Sequence, residues 1–298
     1  MMKPILVIGS ANADFTIHAD RLPRLGETLP GHDFSVNIGG KGLNQAIAVS
    51  RLGGKAAFLG AVGNDMNGAM LLRAMQDNGV AFEGICTVKD TTGMAMITVV
   101  NGDNCILLHH GANFCLTPDC LAEKSRLIEN ASAVIFQLEI PLETVLQGMK
   151  TAKAANVPVF LNPAPACALP EDMYPLCDYF IPNEHEAFAL SGIEAETEEG
   201  CRENIRIFRE KGVKNVLITR GEKGCAYHAG DEVRFCPAVK TVPVDTTSAG
   251  DTFVGALCVQ LMQGAPLADA VVYACRASAM TVERPGAAAS IPFAHEVK

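Results

Sequence analysis

The amino-acid sequence predicts an α/β fold, a three-layer α/β/α sandwich around a mostly parallel central sheet. Short apolar runs alternate with helical stretches along the 298 residues, and this rhythm favours parallel strands joined by right-handed crossovers. The apolar runs lack the polar alternation of half-exposed strands, which indicates a sheet covered by helices on both faces. A content of 49% hydrophobic and 19% charged residues agrees with a folded globular protein.

The predicted elements follow this rhythm along the chain. Strands are predicted at residues 5–8, 56–61, 133–138, 157–161, 179–181 and 216–219. Helices are predicted at residues 42–52, 142–155, 202–211 and 252–262. The first apolar run is short and ends at Gly9, which fits a buried strand and a turn better than a signal peptide.

Two segments, at about 12–37 and 95–112, do not fit a repeated strand–helix unit. They contain short extended pieces, and the second turns at Asn101-Gly102, a typical hairpin dipeptide. We therefore expect a small β-sheet lid inserted in a single domain that spans residues 1–298. One face of the lid would cover a ligand and the other would meet a second subunit, giving a homodimer. An ordinary surface hairpin is the alternative interpretation.

Charge and cysteine content restrict the partners and the compartment. The formal net charge of −9 argues against binding to nucleic acid or to an anionic membrane. The sequence has no stretch of 18 apolar residues, the length needed to span a bilayer. The 11 cysteines are odd in number and include no C-x-x-C spacing, which argues against a disulfide framework and a zinc site. We expect most of them to be small buried residues of a cytoplasmic protein.

The most informative segment is residues 244–253, where small residues precede a predicted helix. Small residues let the backbone approach a ligand closely, and the first amides of a helix have no partners within it. Ala249, Gly250 and Asp251 are therefore candidates for an anion hole that accepts a transferring phosphoryl group. The Asp251 carboxylate would be placed to take a proton from a hydroxyl nucleophile. The alternative is an aspartate that caps the helix.

A second segment, residues 38–45, places three glycines and Lys41 before a predicted helix. It is not a Walker A loop, because no G-x-x-x-x-G-K-[ST] occurs in the chain. The turn after the first strand also lacks G-x-G-x-x-G, which argues against a nicotinamide-dependent dehydrogenase. A tight turn explains residues 38–45 equally well.

Two further polar segments follow predicted strands. Asn183 and Glu186 come after strand 179–181, where they would organise a hydrated Mg²⁺ and phosphates or simply cap a helix. Residues 219–224 follow strand 216–219, on the ligand-binding side of an open α/β sheet. Arg220 or Lys223 would lie near phosphate if this loop lined a nucleotide site. The alternative is a loop that leads into a hairpin.

Taken together, these motifs resemble those of the ribokinase-like (PfkB) carbohydrate kinases over nearly the whole chain. They occur in the order expected for that family: GSANADF at 9–15, IGGKGLNQAIA at 38–48, FQLEIP at 136–141, LNPAPA at 161–166, IPNEHE at 181–186, DTTSAGDTFVGA at 245–256 and RPGAAAS at 284–290. The resemblance implies ATP-dependent phosphorylation of a pentose, D-ribose at its 5-hydroxyl in the first place. The alternatives are 2-deoxyribose, a nucleoside or another sugar as substrate, and a non-catalytic sugar or nucleotide sensor.

The resemblance also implies a role for each matching residue. Asp251 would be the catalytic base, and Ala249 and Gly250 would complete the anion hole. The sugar would be bound by Asp251 together with Asn12, Asp14, Gly40, Lys41, Asn44 and Glu139. The nucleotide would be bound by Asn183, Thr219, Arg220, Gly221, Glu222, Lys223, Gly224, Gly250 and Cys275.

Two metal ions are implied in the same way. Glu186 would hold Mg²⁺ through water. A K⁺ activator would be held, in several cases by backbone carbonyl oxygens, by Asp245, Thr247, Thr281, Arg284, Gly286 and Ser290. Two departures from the family pattern concern these loops. Ser248 stands where the commonest family form has glycine, and Pro285 fixes its own φ beside the implied K⁺ residues.

Overall fold

The computed structural model describes residues 3–230 and 232–298. In chain order its strands are β1 (Ile5–Ile8), β2 (Asn12–His18), β3 (His32–Gly39), β4 (Ala56–Leu59), β5 (Ala61–Gly63), β6 (Cys86–Val88), β7 (Gly93–Val100), β8 (Asp103–His109), β9 (Ala133–Phe136), β10 (Val159–Leu161), β11 (Tyr179–Phe180), β12 (Asn215–Thr219), β13 (Cys225–Ala229) and β14 (Glu232–Cys236). Its α-helices are α1 (Lys41–Arg51), α2 (Met66–Asp77), α3 (Pro118–Ala122), α4 (Ser125–Glu129), α5 (Leu142–Ala154), α6 (Glu184–Ser191), α7 (Glu198–Glu210), α8 (Ala249–Met262) and α9 (Leu267–Val282).

Within the described residues, the central sheet has eight strands in the order β14-β13-β12-β11-β10-β9-β1-β4. The strands from β12 to β4 pair in parallel, and the hairpin of β13 and β14 adds an antiparallel edge. All six apolar runs that predicted strands lie in the parallel part. The prediction of a mostly parallel central sheet is therefore confirmed.

Helices cover both faces of this sheet, as the apolar runs predict. On β1, Ile5 and Val7 join a buried core with residues of α1, α2, α8 and α9. Their neighbours Leu6 and Ile8 point to the opposite face and join a second core with residues of α3 to α7. Each such side chain contributes about 1.5–3 kcal/mol by leaving water. The three-layer α/β/α architecture is thus confirmed.

Two helices begin earlier than the sequence predicts. Helix α7 begins at Glu198 because the Thr197 hydroxyl accepts a hydrogen bond from the Gly200 amide. Helix α8 begins at Ala249 and not at residue 252, because Ser248 adopts a left-handed conformation with a φ of 62° and the small residues after it enter the first turn. This earlier start places Asp251 inside the first turn of α8.

The two segments that do not fit the strand–helix rhythm form a separate four-stranded sheet, in the order β3-β2-β7-β8. We call it the small sheet. Its β7–β8 hairpin turns at Asn101 and Gly102, which have φ values of 52° and 87°, as the primed hairpin turns require. Across the sheet, one row of paired residues consists of Asn37, Asp14, Ala95 and Leu108, and the next row of Val36, Phe15, Met96 and Leu107. Because neighbouring rows point to opposite faces, the small sheet has one partly polar face and one apolar face.

Five segments singled out in the sequence, at 9–15, 136–141, 161–166, 181–186 and 219–224, lie at or just after the ends of β1, β9, β10, β11 and β12. Those at 38–48 and 245–256 lead into α1 and α8. Since these five strands are parallel, their carboxyl ends meet at one edge of the central sheet. The start of α1 lies against this edge, where a Cβ at Gly42 would come within 2.7 Å of the Ser10 amide nitrogen. In the part of the chain that the structure describes, none of the helices combines the length and the apolar character needed to cross a membrane.

Candidate active site

A cavity of about 1020 Å³ lies between this edge and the partly polar face of the small sheet. The predicted site residues that line it are Asn12, Asp14, Gly40, Lys41, Asn44, Glu139, Asn183, Glu186, Thr219, Asp245, Thr247, Gly250, Asp251 and Gly286. The lining does not include Ala249, Arg220, Gly221, Glu222, Lys223, Gly224, Cys275, Thr281, Arg284 or Ser290. The fold therefore brings all seven predicted sugar-binding residues together, but only three of the nine predicted nucleotide-binding residues, namely Asn183, Thr219 and Gly250.

Asp251 lies buried at the bottom of the cavity, in the first turn of α8. One carboxylate oxygen accepts a hydrogen bond from Asn44 Nδ2 at 3.2 Å, and the other accepts one from Gln45 Nε2 at 3.0 Å. Burial raises the pKa of Asp251, whereas the charge of Lys41 and the two amide donors act in the opposite direction. The carboxylate is thus held in place and retains lone pairs for a proton from a ligand.

The start of α8 presents free amides beside this carboxylate. The Ala249 amide donates to the Thr246 carbonyl at 3.3 Å, so it is partly engaged. Neither the Gly250 amide nor the Asp251 amide donates a hydrogen bond to another of the described residues. These two N–H groups and the positive end of the helix dipole form the part of the predicted anion hole that is open to a ligand.

The cavity carries two more carboxylates, those of Asp14 and Glu139. Burial, and to a lesser extent the charge of Glu139, raise the pKa of Asp14 to about 7. Glu139 accepts hydrogen bonds from the Ser10 hydroxyl and, at 3.0 Å, from the Lys41 amide. A Cβ at Gly39 would lie 2.0 Å from the Asp14 carboxylate, so only glycine leaves room for that side chain.

Lys41 supplies positive charge to this acidic cavity. Burial would lower the pKa of the Lys41 amine, but the charges of Asp251, Glu139 and Glu186 outweigh it and raise the pKa. The amine therefore stays protonated, and it is placed to attract the negative charge of a phosphoryl group.

Asn183 and Glu186 form a reciprocal cap at the start of α6. The Asn183 side chain accepts a hydrogen bond from the Glu186 amide at 2.8 Å, and the Glu186 carboxylate accepts from the Asn183 amide at 2.8 Å. Both residues also line the cavity. Burial raises the pKa of Glu186, while the hydrogen bond from the Asn183 amide lowers it. Capping and ligand binding, which the sequence presents as alternatives, are compatible here.

The loop 219–224 uses its charged side chains on the protein itself. The Arg220 guanidinium donates to the Glu196 carbonyl at 3.0 Å and lies 4.0 Å from a carboxylate oxygen of Glu184. Lys223 lies 3.7 Å from the same Glu184 oxygen. Neither side chain points into the cavity where a phosphate would bind, in contrast to the expectation from sequence. Gly221 to Lys223 form a short 3-10 turn that is followed by Gly224.

Cys275 lies beside the cavity, whereas three of the predicted K⁺ residues, Asp245, Thr247 and Gly286, line it. Cys275 is buried on α9 in the core beneath β13 and β14. The Asp245 carboxylate accepts hydrogen bonds from the Thr247 and Gly286 amides, each at 2.9 Å. It thereby joins the loop before α8 to the loop after α9, from which the other predicted K⁺ residues come.

The side chains of the other predicted K⁺ residues have partners of their own. Thr281 bonds to the Thr252 hydroxyl at 2.9 Å, Ser290 donates to the Ala287 carbonyl at 2.7 Å, and Arg284 pairs with Glu296 at 2.7 Å. Only their backbone carbonyls are left to face an ion between the two loops.

Two buried residues of the site were missed at the level of sequence. Gln45, which bonds to Asp251, lies directly after Asn44 in the motif at 38–48, and its place next to a candidate ligand was the available signal. Asn113 accepts a hydrogen bond from the Ala11 amide at 3.0 Å and donates to Asn12 Oδ1 at 2.7 Å. It comes from a short 3-10 turn, Gly111–Cys115, that no motif indicated.

Comparison with known proteins finds relatives that match nearly the whole chain. The model of the pfkB family of carbohydrate kinases matches residues 2–294. The chain is 37% identical over 301 residues to a ribokinase of Staphylococcus aureus, covering 100% of this chain and 99% of that protein. It is 34% identical over 291 residues to a deoxyribokinase of Salmonella typhi, covering 97% and 95%.

A longer relative is a bifunctional ribokinase/ribose-5-phosphate isomerase A of Fructilactobacillus sanfranciscensis. Identity to it is 41% over 296 residues, covering 98% of this chain and 55% of that protein, so the chain spans about half its length. Among solved structures, that of Arabidopsis thaliana ribokinase complexed with ribose and ATP superposes with a TM-score of 0.95. It is 32% identical and covers 100% of this chain and 98% of that one.

Proposed function

The chain belongs to the pfkB family of carbohydrate kinases, and we propose that it transfers the terminal phosphoryl group of ATP to D-ribose, giving D-ribose 5-phosphate. One observation carries the proposal: the buried Asp251 carboxylate lies beside free helix amides in the cavity that also holds Asp14. Ribokinases among the relatives, and the ribose and ATP bound in the Arabidopsis structure, support the choice of substrates.

In the proposed reaction Asp251 is the general base. An Asp251 oxygen takes the proton of the sugar 5-hydroxyl as the sugar oxygen bonds to the terminal phosphorus. The bond from that phosphorus to the bridging oxygen breaks, and ADP leaves with the electron pair. The Gly250 and Asp251 amides and Lys41 lie where negative charge develops, which lowers the barrier because these donors are already oriented.

Recognition of the other sugar hydroxyls is proposed for the part of the cavity around Asp14. Asp14 would accept hydrogen bonds from sugar hydroxyls, with Asn12 and Asn44 beside it. The Asn44 Oδ1 atom is buried and has no hydrogen-bond partner within the described residues, and a sugar hydroxyl would supply one. Glu139, Gly40 and Lys41 would complete this part of the site.

The residues present fit a magnesium ion that is shared with the nucleotide. Within the described residues no three Asp, Glu, His or Cys side chains cluster as a cage. Mg²⁺ keeps several waters and needs only one or two carboxylates when substrate phosphates supply further oxygens. Glu186 would hold it through water, beside Asn183. The bound ion would neutralise charge on the phosphates.

The nucleotide is proposed to extend from Gly250 towards Thr219 and the loop 219–224. We assign its contacts in that loop to the backbone of Gly221 to Gly224, because the Arg220 and Lys223 side chains are directed to Glu184 and Glu196. Cys275 would lie beneath the base and would not touch it directly.

A K⁺ activator is proposed between the loops that Asp245 joins. Asp245 and Thr247 would hold it with backbone carbonyls of Thr281, Arg284, Gly286 and Ser290. Initial rates in K⁺ and in Na⁺ buffers test this, and equal rates would contradict it.

A homodimer through the small sheet is proposed from its apolar face. Met96 and Leu107 are paired there and are 50% and 78% exposed, which is unusual for large apolar side chains unless another surface covers them. The sheet would then act as the lid of one domain spanning residues 1–298. Light scattering after size-exclusion chromatography tests the dimer, and a monomer at micromolar concentration would contradict it.

A cytoplasmic location is proposed from the cysteines. All 11 are free, and a reducing compartment keeps them so.

The decisive experiment measures ADP release from ATP with a panel of pentoses and nucleosides in K⁺ buffer. We expect the highest kcat/KM with D-ribose and a product phosphorylated at the 5-position by NMR. The deoxyribokinase relative makes 2-deoxyribose the second candidate. A clear nucleoside preference would overturn the ribose assignment. Sugar binding without ADP release from any substrate would indicate a non-catalytic sensor.

A further inference from the structure

We infer that Gln45 is a positioning residue for phosphoryl transfer: its side-chain amide orients the Asp251 carboxylate and favours its ionised form. The inference rests on the proposed function, because it concerns the base of that reaction. Gln45 is fully buried on α1 and does not line the cavity. It therefore acts from beneath the site and has no direct contact with a ligand.

Every polar atom of the Gln45 side chain has a partner. Its Nε2 atom donates to Asp251 Oδ1 at 3.0 Å and to Asn162 Oδ1 at 3.2 Å. Its Oε1 atom accepts from Gln137 Nε2 at 2.5 Å. Asn162 is held in turn, since its own Nδ2 donates to the Ile181 carbonyl at 2.9 Å.

The direction of this amide chain is fixed by the charge at its end. If Gln45 turned its oxygen towards Asp251, two oxygens would face each other and the carboxylate would repel it. The nitrogen must therefore face Asp251, and the oxygen must face the amide of Gln137. Space is tight on the far side, where a Cβ at Gly9 would lie 1.8 Å from Gln137 Oε1. The chain is thus confined to one arrangement.

Gln45 differs from the other donor of Asp251 in what happens when a ligand binds. Asn44 lines the cavity and is placed to exchange partners with a sugar, whereas Gln45 has no access to one. Donation to an ionised carboxylate stabilises that form, and a protonated oxygen at the same position would meet an N–H and not an acceptor. Gln45 therefore favours the ionised form of Asp251. The lone pairs on the cavity side of the carboxylate stay free to accept the proton of the substrate.

Other charges face Asp251 and set the background of its titration. Lys41 at the start of α1 favours the ionised form, and Glu139 after β9 opposes it. Glu186 on α6 is close enough to interact with Asp251 as well, and Asp14 on β2 faces the same cavity. These groups are common to wild type and variants, so a change at residue 45 alone reports on the amide.

The test is the pH dependence of kcat for Gln45→Met and Gln45→Glu. Methionine keeps the volume of glutamine and removes the donor, so we expect about a tenfold loss of kcat at pH values on the acidic limb of the profile. Because an ionised base is required, the loss comes from an acidic limb shifted to higher pH by about one unit, the pH equivalent of one tenfold change in proton affinity. The KM for D-ribose should stay within about threefold. Glutamate adds a second carboxyl to the pair and should shift the limb further.

A matched control is Asn204→Leu, which removes another fully buried amide with two donated hydrogen bonds, on α7 and away from the cavity. It should lower thermal stability and leave the pH profile unchanged. An unshifted acidic limb in a folded Gln45→Met protein would overturn the inference. If that protein does not fold, an unshifted limb in Gln45→Glu has the same meaning. A wild type that phosphorylates no sugar would instead overturn the proposed function, and the inference with it.

Discussion

The cavity and the neighbouring loop 219–224 use polar side chains in different ways. In the part of the cavity where transfer is proposed, which we call the transfer end, Asp251, Asn44 and Lys41 are held by the protein and still face the space for a ligand. At the loop 219–224, Arg220 and Lys223 end on Glu184 and Glu196 and contribute to the fold. Residues on a rigid helix start can serve the fold and a ligand together, whereas long side chains on a loop are easily engaged by neighbouring surface groups.

The strongest test of the transfer end is Asp251→Asn. The amide cannot accept the proton of the sugar hydroxyl at neutral pH, so we expect kcat to fall by about 10²–10⁴-fold, the usual contribution of a general base. ADP affinity by calorimetry should be retained, because the helix amides are unchanged. Near-normal turnover would show that Asp251 is not the general base.

A second prediction concerns sugar binding by Asp14. Since burial raises the pKa of this carboxyl to about 7, Asp14 is mostly ionised at pH 8 and mostly protonated at pH 6. The ionised form is the better acceptor for sugar hydroxyls, so KM for D-ribose should rise about tenfold between pH 8 and pH 6, as the competent fraction falls.

Two variants sharpen this measurement. Asp14→Asn should raise KM at pH 8 and abolish its pH dependence. Removing the nearby charge with Glu139→Gln should move the rise in KM to lower pH, because that charge contributes to the high pKa of Asp14. A KM that stays constant with pH in the wild type would show that the protonation of Asp14 has no part in sugar binding.

The same contrast explains how much could be predicted from sequence. The apolar runs that form β1, β9 and β12 needed no tertiary information, because a strand buried on both faces must be apolar throughout. Asp251 was found because small residues precede a predicted helix, and Asp14 and Asn44 were found because their motifs resemble those of the family. The folded structure places all three in one cavity.

Other features depend on partners that are distant in sequence. Gln45 and Asn113 act through contacts with residues more than one hundred positions away. The only local signal is the place of Gln45 next to Asn44, and no motif marks Asn113. Arg220 has the charge and the position in the chain of a phosphate ligand, yet its geometry is decided by Glu184 and by the Phe235 ring, which lies 5.4 Å from the guanidinium. Sequence alone does not reveal that competition.

The smallest kinetic effect is expected at this loop. Arg220→Met removes the bond to the Glu196 carbonyl and leaves Lys223 as the remaining cationic neighbour of Glu184, so stability should fall by about 1–3 kcal/mol. For a chain of this size, about 2–4 °C of Tm corresponds to each kcal/mol. The KM for ATP should stay within about twofold, because the guanidinium does not enter the cavity.

The double variant Arg220→Met/Glu184→Gln distinguishes a structural pair from a phosphate ligand. Neutralising Glu184 removes a carboxylate that has lost one of its two cationic neighbours, so part of the lost Tm should return while KM for ATP remains unchanged. A large rise in KM for ATP in Arg220→Met, with an unaltered Tm, would show that the arginine turns towards phosphate when nucleotide binds. The contrast between the cavity and the loop 219–224 would then hold only for the unliganded protein. The phosphate role that the sequence predicts for Arg220 would be restored.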